Sequence, residues 1–287
     1  MRHRRAVPGD FEGRLLRATS ISVSKAASEP LTFLTAVLTH QARRSALSEI
    51  RETAAAVGAD ILTKSLTQEY PLLTLQASSE RIVSELEAAI ENLQLRAPLP
   101  LQQAGGVLLS APDSECTDLV GLWLDDPSVV DPRLAVWMKI AAAPVLELAA
   151  ARAEPPSKEE WAGRACPMCG DVPQCSVIVE ESGAFLQGSP RYLVCARCAT
   201  WWGFSRATCP CCGEDDSRRI ASFTGEEEPW VRIDACETCH GYVKTFDLRE
   251  KGAVQVVPIV DDVTSLALDV WAHEAGFERP AFSLAGV

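Results

Sequence analysis

The sequence has no excess of basic residues: 27 Lys and Arg face 39 Asp and Glu, so the net charge is −12. Phosphate binding relies on a basic face, and this balance argues against a nucleic-acid partner. A Gly-rich phosphate loop, a pair of catalytic carboxylates and a Ser/His/Asp arrangement are also missing, and His3, His40 and His273 form no constellation. These absences predict that the protein is not an enzyme.

Long uninterrupted apolar segments are missing too. The basic start, Met1 to Arg5, is not followed by the apolar segment of a signal peptide or of a twin-arginine signal. The most apolar stretch contains Lys139, Pro144 and Glu147, and its uninterrupted runs fall short of the about 20 residues that cross a bilayer. We expect no membrane span and a cytoplasmic location.

What the chain does have is eleven cysteines. Eight of them form four Cys-x-x-Cys pairs: Cys166/Cys169, Cys195/Cys198, Cys209/Cys212 and Cys236/Cys239. Two such pairs supply the four sulfurs of a tetrahedral metal site. Because no secretion signal is visible and a reducing cytoplasm disfavours structural disulfides, the eight cysteines predict two four-sulfur metal sites.

An internal repeat indicates how the pairs combine. The second repeat follows the first by 43 residues at the opening pair (166 to 209) and by 41 at the closing pair (195 to 236). One metal per repeat therefore uses Cys166, Cys169, Cys195 and Cys198 for the first site and Cys209, Cys212, Cys236 and Cys239 for the second. The rival arrangement joins Cys195/Cys198 to Cys209/Cys212 and leaves the outer pairs to meet.

The residues between and beside the pairs support the metal interpretation. Both opening pairs have the form Cys-Pro-x-Cys-Gly, in which Pro stiffens the turn and Gly170 or Gly213 adopts a positive φ. Cys211 replaces Met168 of the first repeat; it is either a non-ligating turn residue, a substitute ligand or a reactive thiol. Cys236 to His240 has the pattern of haem c attachment, but the repeat already employs these cysteines.

The first half of the chain follows a helical period. We expect a loose lead-in over 1–27, a helix opened by Glu29-Pro30, a second helix capped by Ser78 or Ser79, a loop at Gly105-Gly106 and a helix kinked or broken near Pro144. The second half shows short β-branched segments. Candidate strands are 176–179, 191–194, 219–223, 231–234, 242–246 and 254–257, and Asp261-Asp262 would cap a final helix that buries Val263, Leu266, Val270 and Trp271.

The predicted fold class is therefore α+β. A helical domain (1–152) and a linker (153–164) precede two tandem rubredoxin-like or zinc-ribbon tetracysteine modules (165–204 and 205–258), and a C-terminal helix and tail (259–287) follow. Each module is too small to be held together by hydrophobic burial alone, so its metal would supply much of the folding free energy. Iron and zinc both suit four sulfur ligands.

This arrangement resembles the family of formate dehydrogenase accessory proteins, FdhE. The resemblance lies in Cys166-Pro-Met-Cys-Gly-Asp-Val-Pro, in Arg191-Tyr-Leu-Val-Cys-Ala-Arg-Cys, in Cys209-Pro-Cys-Cys-Gly, in Ala235-Cys-Glu-Thr-Cys-His-Gly-Tyr-Val-Lys and in the tail Asp261-Asp-Val-Thr-Ser-Leu-Ala-Leu-Asp. It is strong over about 165–275 and only architectural before that.

The resemblance implies a cytoplasmic, non-enzymatic assembly factor for active respiratory formate dehydrogenase. It implies binding of the catalytic subunit before export, by the helical half or the groove between the domains. It also implies one iron ion in each tetracysteine site, two in total, with zinc as the alternative occupant. A zinc-ribbon adaptor or a thiol-redox protein with another client is the alternative function, and a homodimer stays open.

Overall fold

Eight helices in the first half follow the apolar periodicity of the sequence. In the computed structural model, which describes residues 8–21, 25–180, 189–225, 228–250 and 257–282, the chain divides into two compact units, one of Pro8–Ile21 with Thr32–Glu154 and one built on Pro155–Val287. The helices of the first half are α1 (Phe11–Ser20), α2 (Lys25–Ser45), α3 (Ser48–Val57), α4 (Ile61–Thr67), α5 (Ser79–Leu93), α6 (Leu99–Ser110), α7 (Asp113–Asp125) and α8 (Pro132–Ala150).

Two helix starts differ from the sequence-based expectation. The segment expected to be a loose lead-in contains α1, whose first turn is capped by the Asp10 carboxylate accepting from the Gly13 N–H. Helix α2 begins at Lys25, so Pro30 lies inside it and does not open it. A proline in the first turn of a helix removes no intrahelical hydrogen bond, but Pro30 is the sixth residue of α2, so the helix lacks one of its i→i−4 hydrogen bonds there.

Helix α8 forms the centre of the helical unit. It packs against α3, α5 and α6, and it is not broken at Pro144, which lies inside it. Of the two outcomes expected there, the break is wrong and the kink stays a prediction. Trp137 is fully buried and donates its indole N–H to the Leu101 carbonyl at 2.8 Å. Glu147 is buried and pairs with Arg14 of α1, which places the one acidic group of this apolar helix in a bidentate ion pair.

The prediction of a loop at Gly105-Gly106 is wrong, because both glycines lie inside α6. A Cβ on Gly105 would lie 3.0 Å from Ile90 and 3.3 Å from the Trp137 ring. Glycine is therefore used here for close packing of α6 against α5 and α8, not for a turn. Among the residues that the structure describes, no helix is long and apolar enough to cross a membrane.

The second half forms one six-stranded sheet. Its strands are β1 (Pro173–Ile178), β2 (Arg191–Cys195), β3 (Trp201–Phe204), β4 (Ile220–Thr224), β5 (Val231–Cys236) and β6 (Tyr242–Asp247), in the spatial order β3-β2-β1-β6-β5-β4. Neighbouring strands are antiparallel except β1 and β6, which pair in parallel. The first repeat supplies β1 to β3 and the second β4 to β6, so the parallel pair joins the two repeats.

Five of the six predicted strands are confirmed, namely β1, β2, β4, β5 and β6. The sixth, 254–257, lies outside the described residues except for Val257, which directly precedes a helix. Strand β3 is not among the strands predicted from the sequence. Its Trp201 and Trp202 are both buried. Trp201 packs into the core of the sheet with Val177, Val194 and Phe246, so these tryptophans do not form an exposed recognition surface.

A row of polar side chains crosses the parallel pair. The Arg191 guanidinium of β2 donates to the Ser176 hydroxyl of β1 at 3.1 Å, and that hydroxyl lies 2.6 Å from Thr245 of β6. The Thr245 hydroxyl donates in turn to the Asp234 carboxylate of β5 at 2.6 Å. Ser176, Thr245 and Arg191 are buried, so each donor in this row needs the next acceptor.

The end of the chain differs most from expectation. It forms two helices, α9 (Pro258–Thr264) and α10 (Leu266–Glu274), and Asp261 and Asp262 lie inside α9 instead of capping it. Val263 is buried as predicted, whereas Val270 and Trp271 are exposed by 44% and 39%. The Asp261 carboxylate accepts from the N–H of Val257, just before the helix, at 2.8 Å.

Asp262 instead belongs to a buried ionic cluster. Lys244 of β6 pairs with Asp262 at 3.0 Å and with Asp269 of α10, and Arg279 pairs with the same two carboxylates at 3.0 and 3.2 Å. Burial would raise the pKa of Asp262, but Arg279 and Lys244 outweigh burial and hold that pKa below its ordinary value. The cluster is charge-balanced and anchors both C-terminal helices to β6.

Replacing Lys244 by Met is therefore expected to destabilise the protein by about 3–5 kcal/mol, because two buried carboxylates then share Arg279 as their one cationic partner in the cluster. The free energy of unfolding of the full chain, measured by urea titration, checks this. Arg218→Met is the matched control, since its ion pair with Asp216 is exposed (87% and 31% for the two side chains) and should contribute little. Equal effects of the two substitutions would contradict a structural role of the cluster.

Candidate metal centre

All four Cys-x-x-Cys pairs form the same turn. In each, the N–H of the first cysteine donates to the carbonyl five residues later, with distances of 2.7 to 2.9 Å. The residue after the second cysteine has a positive φ in every case, at Gly170 (82°), Ala199 (56°), Gly213 (90°) and His240 (55°). The two glycines confirm the expectation from Cys-Pro-x-Cys-Gly. Ala199 and His240 show that the closing pairs adopt the same turn without glycine.

The turns bring the sulfurs together in two groups. One group contains Cys166, Cys169, Cys195 and Cys198, the other Cys209, Cys212, Cys236 and Cys239, and within each group the sulfurs all lie within 4.8 Å of one another. These are the groups that the internal repeat predicts. The rival pairing of Cys195/Cys198 with Cys209/Cys212 is wrong, and all eleven cysteines are free of disulfides.

The sulfur separations fit a metal ion. A tetrahedral ion with sulfur ligands at about 2.3 Å requires neighbouring sulfurs to lie about 3.8 Å apart. The closest pairs are 3.3 Å (Cys169–Cys195) and 3.7 Å (Cys166–Cys198) in the first group, and 3.8 Å (Cys212–Cys236) and 3.9 Å (Cys209–Cys239) in the second. A disulfide would bring them to about 2.05 Å. Each group could therefore hold one metal ion.

The sheet positions the closing pairs. Cys195 is the last residue of β2 and Cys236 the last of β5, so the antiparallel strands that carry them fix the second half of each group. The opening pairs precede β1 and β4, in turns stiffened by Pro167 and Pro210. Every group thus combines one turn before a strand with one turn after a strand of the same repeat.

Hydrogen bonds to sulfur accompany the first group. The backbone N–H groups of Arg197 and Cys198 donate to the Cys195 sulfur at 3.3 and 3.4 Å, and the Thr200 hydroxyl lies 3.2 Å from the Cys198 sulfur. The buried Arg197 side chain pairs with Asp171 at 3.2 Å. Such bonds spread negative charge away from the thiolates of a tetrathiolate site. The Cys-x-x-Cys motif alone predicts neither the Arg197 pair nor the contact with Thr200.

The two groups differ in their access to solvent. All four cysteines of the first group are buried, with at most 3% of each residue exposed. In the second group Cys209 and Cys236 are buried, Cys212 is half-buried and Cys239 is exposed. The second group therefore lies at the surface of its unit.

A fifth cysteine accompanies only the second group. The Cys211 N–H donates to the Cys209 sulfur at 3.4 Å. The neighbouring Cys211 thiol lowers the pKa of Cys209 to about 4 despite partial burial, and the pKa of Cys211 is raised in turn. The Cys211 carbonyl accepts from the guanidinium of Arg164. The equivalent residue of the first repeat, Met168, is fully buried.

The remaining candidates lie outside the two groups. Cys116 is buried and its thiol donates to the Leu108 carbonyl at 3.5 Å. Cys175 belongs to the core of the sheet, where burial raises its pKa. The ring centre of His240 lies 6.1 Å from that of Phe277, and His240 is not a member of the metal-binding group beside it.

Comparison with known proteins relates this half of the chain to a single family. A model of the FdhE central domain matches residues 165–206, and a model of the FdhE C-terminal domain matches residues 207–285. The boundary between the two models falls between the two cysteine repeats. Residues 165–285 match the FdhE family.

Individual FdhE proteins are also similar to this chain. The chain is 35% identical over 119 residues to an FdhE homologue of Aquifex aeolicus and 38% identical over 112 residues to one of Shewanella oneidensis, covering 42% and 39% of this chain. The matched stretch spans only 40% and 35% of those relatives. The crystal structure of the FdhE protein from Pseudomonas aeruginosa, 20% identical, has a TM-score of 0.63 and covers 97% of this chain and 94% of its own. It shows that the fold is shared.

Replacing Cys169 by Ser is expected to remove one metal ion per chain, and replacing Cys212 by Ser the other, because each leaves three sulfurs around one ion. His240→Ala should keep both ions, since His240 lies outside the groups. Elemental analysis of the purified full chain measures the content. Unchanged metal in both cysteine variants would contradict the ligand assignment, and loss of metal from His240→Ala would add His240 to it.

Proposed function

We propose that this protein is an accessory factor required for the formation of active respiratory formate dehydrogenase. It binds the catalytic subunit of that enzyme in the cytoplasm, before export. The observation that carries the proposal is the pair of four-sulfur groups on a single sheet, in a chain whose residues 165–285 match the FdhE family. This similarity makes formate dehydrogenase the expected client.

The chemistry of the groups supports an accessory role. Four sulfurs around one ion leave no open coordination position, so such a site neither binds a substrate nor activates water. A site of this kind stabilises the fold or carries one electron. The eight cysteines Cys166, Cys169, Cys195, Cys198, Cys209, Cys212, Cys236 and Cys239 are the proposed ligands.

We assign one iron ion to each group, with zinc as the alternative occupant. Sulfur ligands in tetrahedral geometry suit both metals. Bound iron would add one-electron chemistry, which zinc does not supply. The protein's own contribution is the N–H bonds to Cys195, Cys209 and Cys239 at 3.3 to 3.4 Å, which stabilise thiolates whichever metal is bound.

The helical unit is the proposed client-binding part. Its surface carries several exposed apolar side chains where α5 meets α6 and on α6 itself. Leu95 is exposed by 92%, Leu99 by 65% and Val107 by 60%. Leu95 and Leu99 are only four residues apart in the chain, and neighbouring exposed apolar side chains are typical of surfaces that bind another protein. The acidic net charge of −12 also favours a protein client over nucleic acid.

The identity of the metal has a direct test. The full chain purified without oxygen is expected to contain two iron ions per molecule and to absorb visible light, as ferric thiolate does. Elemental analysis with a visible spectrum measures both. A colourless protein with two zinc ions would reject the iron assignment alone. A folded protein with no metal, or with its sulfurs bonded to one another, would overturn the metal sites.

Client binding has a second test. The tagged full chain is expected to capture the host's formate dehydrogenase catalytic subunit, and Leu95→Asp should weaken capture at least about tenfold because a buried charge disfavours an apolar contact. Leu66→Asp, on α4 and 79% exposed, is the matched control and should leave capture intact. Absence of capture by the unmodified chain would contradict the proposed function. Equal capture by all three would contradict only the placement of the surface.

A further inference from the structure

We propose that Cys211 is an exchange ligand of the second cysteine group, able to take the place of Cys239, so that this group takes up and releases metal while the first group holds its metal. The inference rests on the proposed metal binding at both groups. It adds a ninth cysteine to the eight assigned above and gives the two repeats different roles.

The first observation is the position of Cys211. Its backbone N–H donates to the Cys209 sulfur at 3.4 Å. A Cβ on Gly241 would lie 2.9 Å from the Cys211 sulfur and 3.2 Å from the Cys239 sulfur. The Cys211 and Cys239 sulfurs therefore border the same point in space, and their separation is at most the sum of these two distances. Of the three cysteines outside the two groups, Cys211 is the one that lies beside the second group.

The second observation comes from comparing the repeats. Gly241 occupies the place that Thr200 has in the first repeat, two residues after the last cysteine, and Cys211 occupies the place of Met168. Thr200 directs its hydroxyl to the Cys198 sulfur at 3.2 Å. A side chain at 241 would instead collide with Cys211, whose Cβ lies 2.9 Å from the added atom. The two differences belong together, because Gly241 leaves the space that Cys211 fills.

The third observation is the access of solvent to the sulfurs of the two groups. Exchange at a closed site is fastest when an incoming ligand can bind before the outgoing one leaves. Cys239 is exposed and Cys211 half-buried, so the outgoing sulfur can move into solvent. In the first group every sulfur is buried, and the thioether of Met168 is a poor substitute for a thiolate.

The exchange step needs no oxidant, because no sulfur changes its oxidation state. The Cys211 thiol loses its proton to water and its sulfur forms a bond to the metal, while the bond from Cys239 breaks and that thiolate gains a proton. Four sulfurs hold the metal before and after the step. With Cys239 free at the surface, a thiol or chelator from outside would compete with Cys211 and Cys239 for the same position on the metal.

Metal content tests the substitution directly. In the full chain, Cys239→Ser is expected to keep two metal ions because Cys211 completes the second group, whereas Cys198→Ser should lose one because the first group has no spare thiol. The double variant Cys239→Ser/Cys211→Ser should lose the second ion. Loss of one ion from Cys239→Ser alone would overturn the proposal.

Release kinetics test the exchange in the chain with all eight ligands. The full chain loaded with two zinc ions is mixed with an excess of a coloured zinc chelator, and two phases of one ion each are expected. Cys211→Met, which copies the first repeat, should slow the fast phase about tenfold or more and leave the slow phase unchanged. Gly241→Ala keeps every thiol and should also slow the fast phase, because its Cβ would lie 2.9 Å from the Cys211 sulfur and 3.2 Å from the Cys239 sulfur and so narrow the space in which the two exchange.

The outcomes separate this inference from the proposed function. Release of both ions in a single phase, or a fast phase unchanged by Cys211→Met, would overturn the exchange role while the metal sites stand. Failure of the unmodified chain to bind two ions would overturn both. Circular dichroism of each variant checks that its fold is intact, and two variants at different positions protect the test against misfolding of one.

Discussion

The row of hydrogen bonds across β1 and β6 is the interaction on which the metal-binding half depends. It runs from Arg191 through Ser176 and Thr245 to Asp234, and so from the first repeat into the second. Arg191 also donates to the carbonyl of Thr208, the residue before Cys209. Because a buried donor left without its acceptor costs about 1–3 kcal/mol, the two repeats are held in one register. They form one folded body that carries both cysteine groups.

The cysteine groups were predictable because their determinants are local. Four residues suffice to make each turn, and the offset between repeats showed which turns belong together. Most strands were predictable for a similar reason, since runs such as 191–194 and 242–246 are β-branched and aromatic between turns. Helix α8 was predictable from its long apolar run, and its start is also local, since the Asp131 carboxylate accepts from the Arg133 N–H at 2.9 Å.

The errors share a different cause, which is tertiary contact. Gly105 resembles a loop residue in the sequence, yet the Trp137 ring requires a residue without a side chain inside a helix. Asp262 resembles a helix cap, yet Lys244 and Arg279, 18 and 17 residues away along the chain, hold it inside α9. Val270 and Trp271 fit an apolar helical face, but the burial of Asp269 turns that face outward. Neither periodicity nor a short motif carries information about partners that far away.

The comparison of the two repeats goes beyond the shared metal chemistry. Both keep the same turns, the same positive φ positions and the same strand order, so these features are what four sulfurs around one point require. What differs is the surrounding shell: Thr200 and Met168 enclose the first group, and Gly241 and Cys211 occupy the equivalent places at the second. A site whose only role is to stabilise the fold gains from enclosure, since solvent access promotes metal loss. The exposed second group with its additional thiol therefore fits a site that changes its state during the protein's work, and the buried first group fits the anchor that keeps the sheet folded meanwhile.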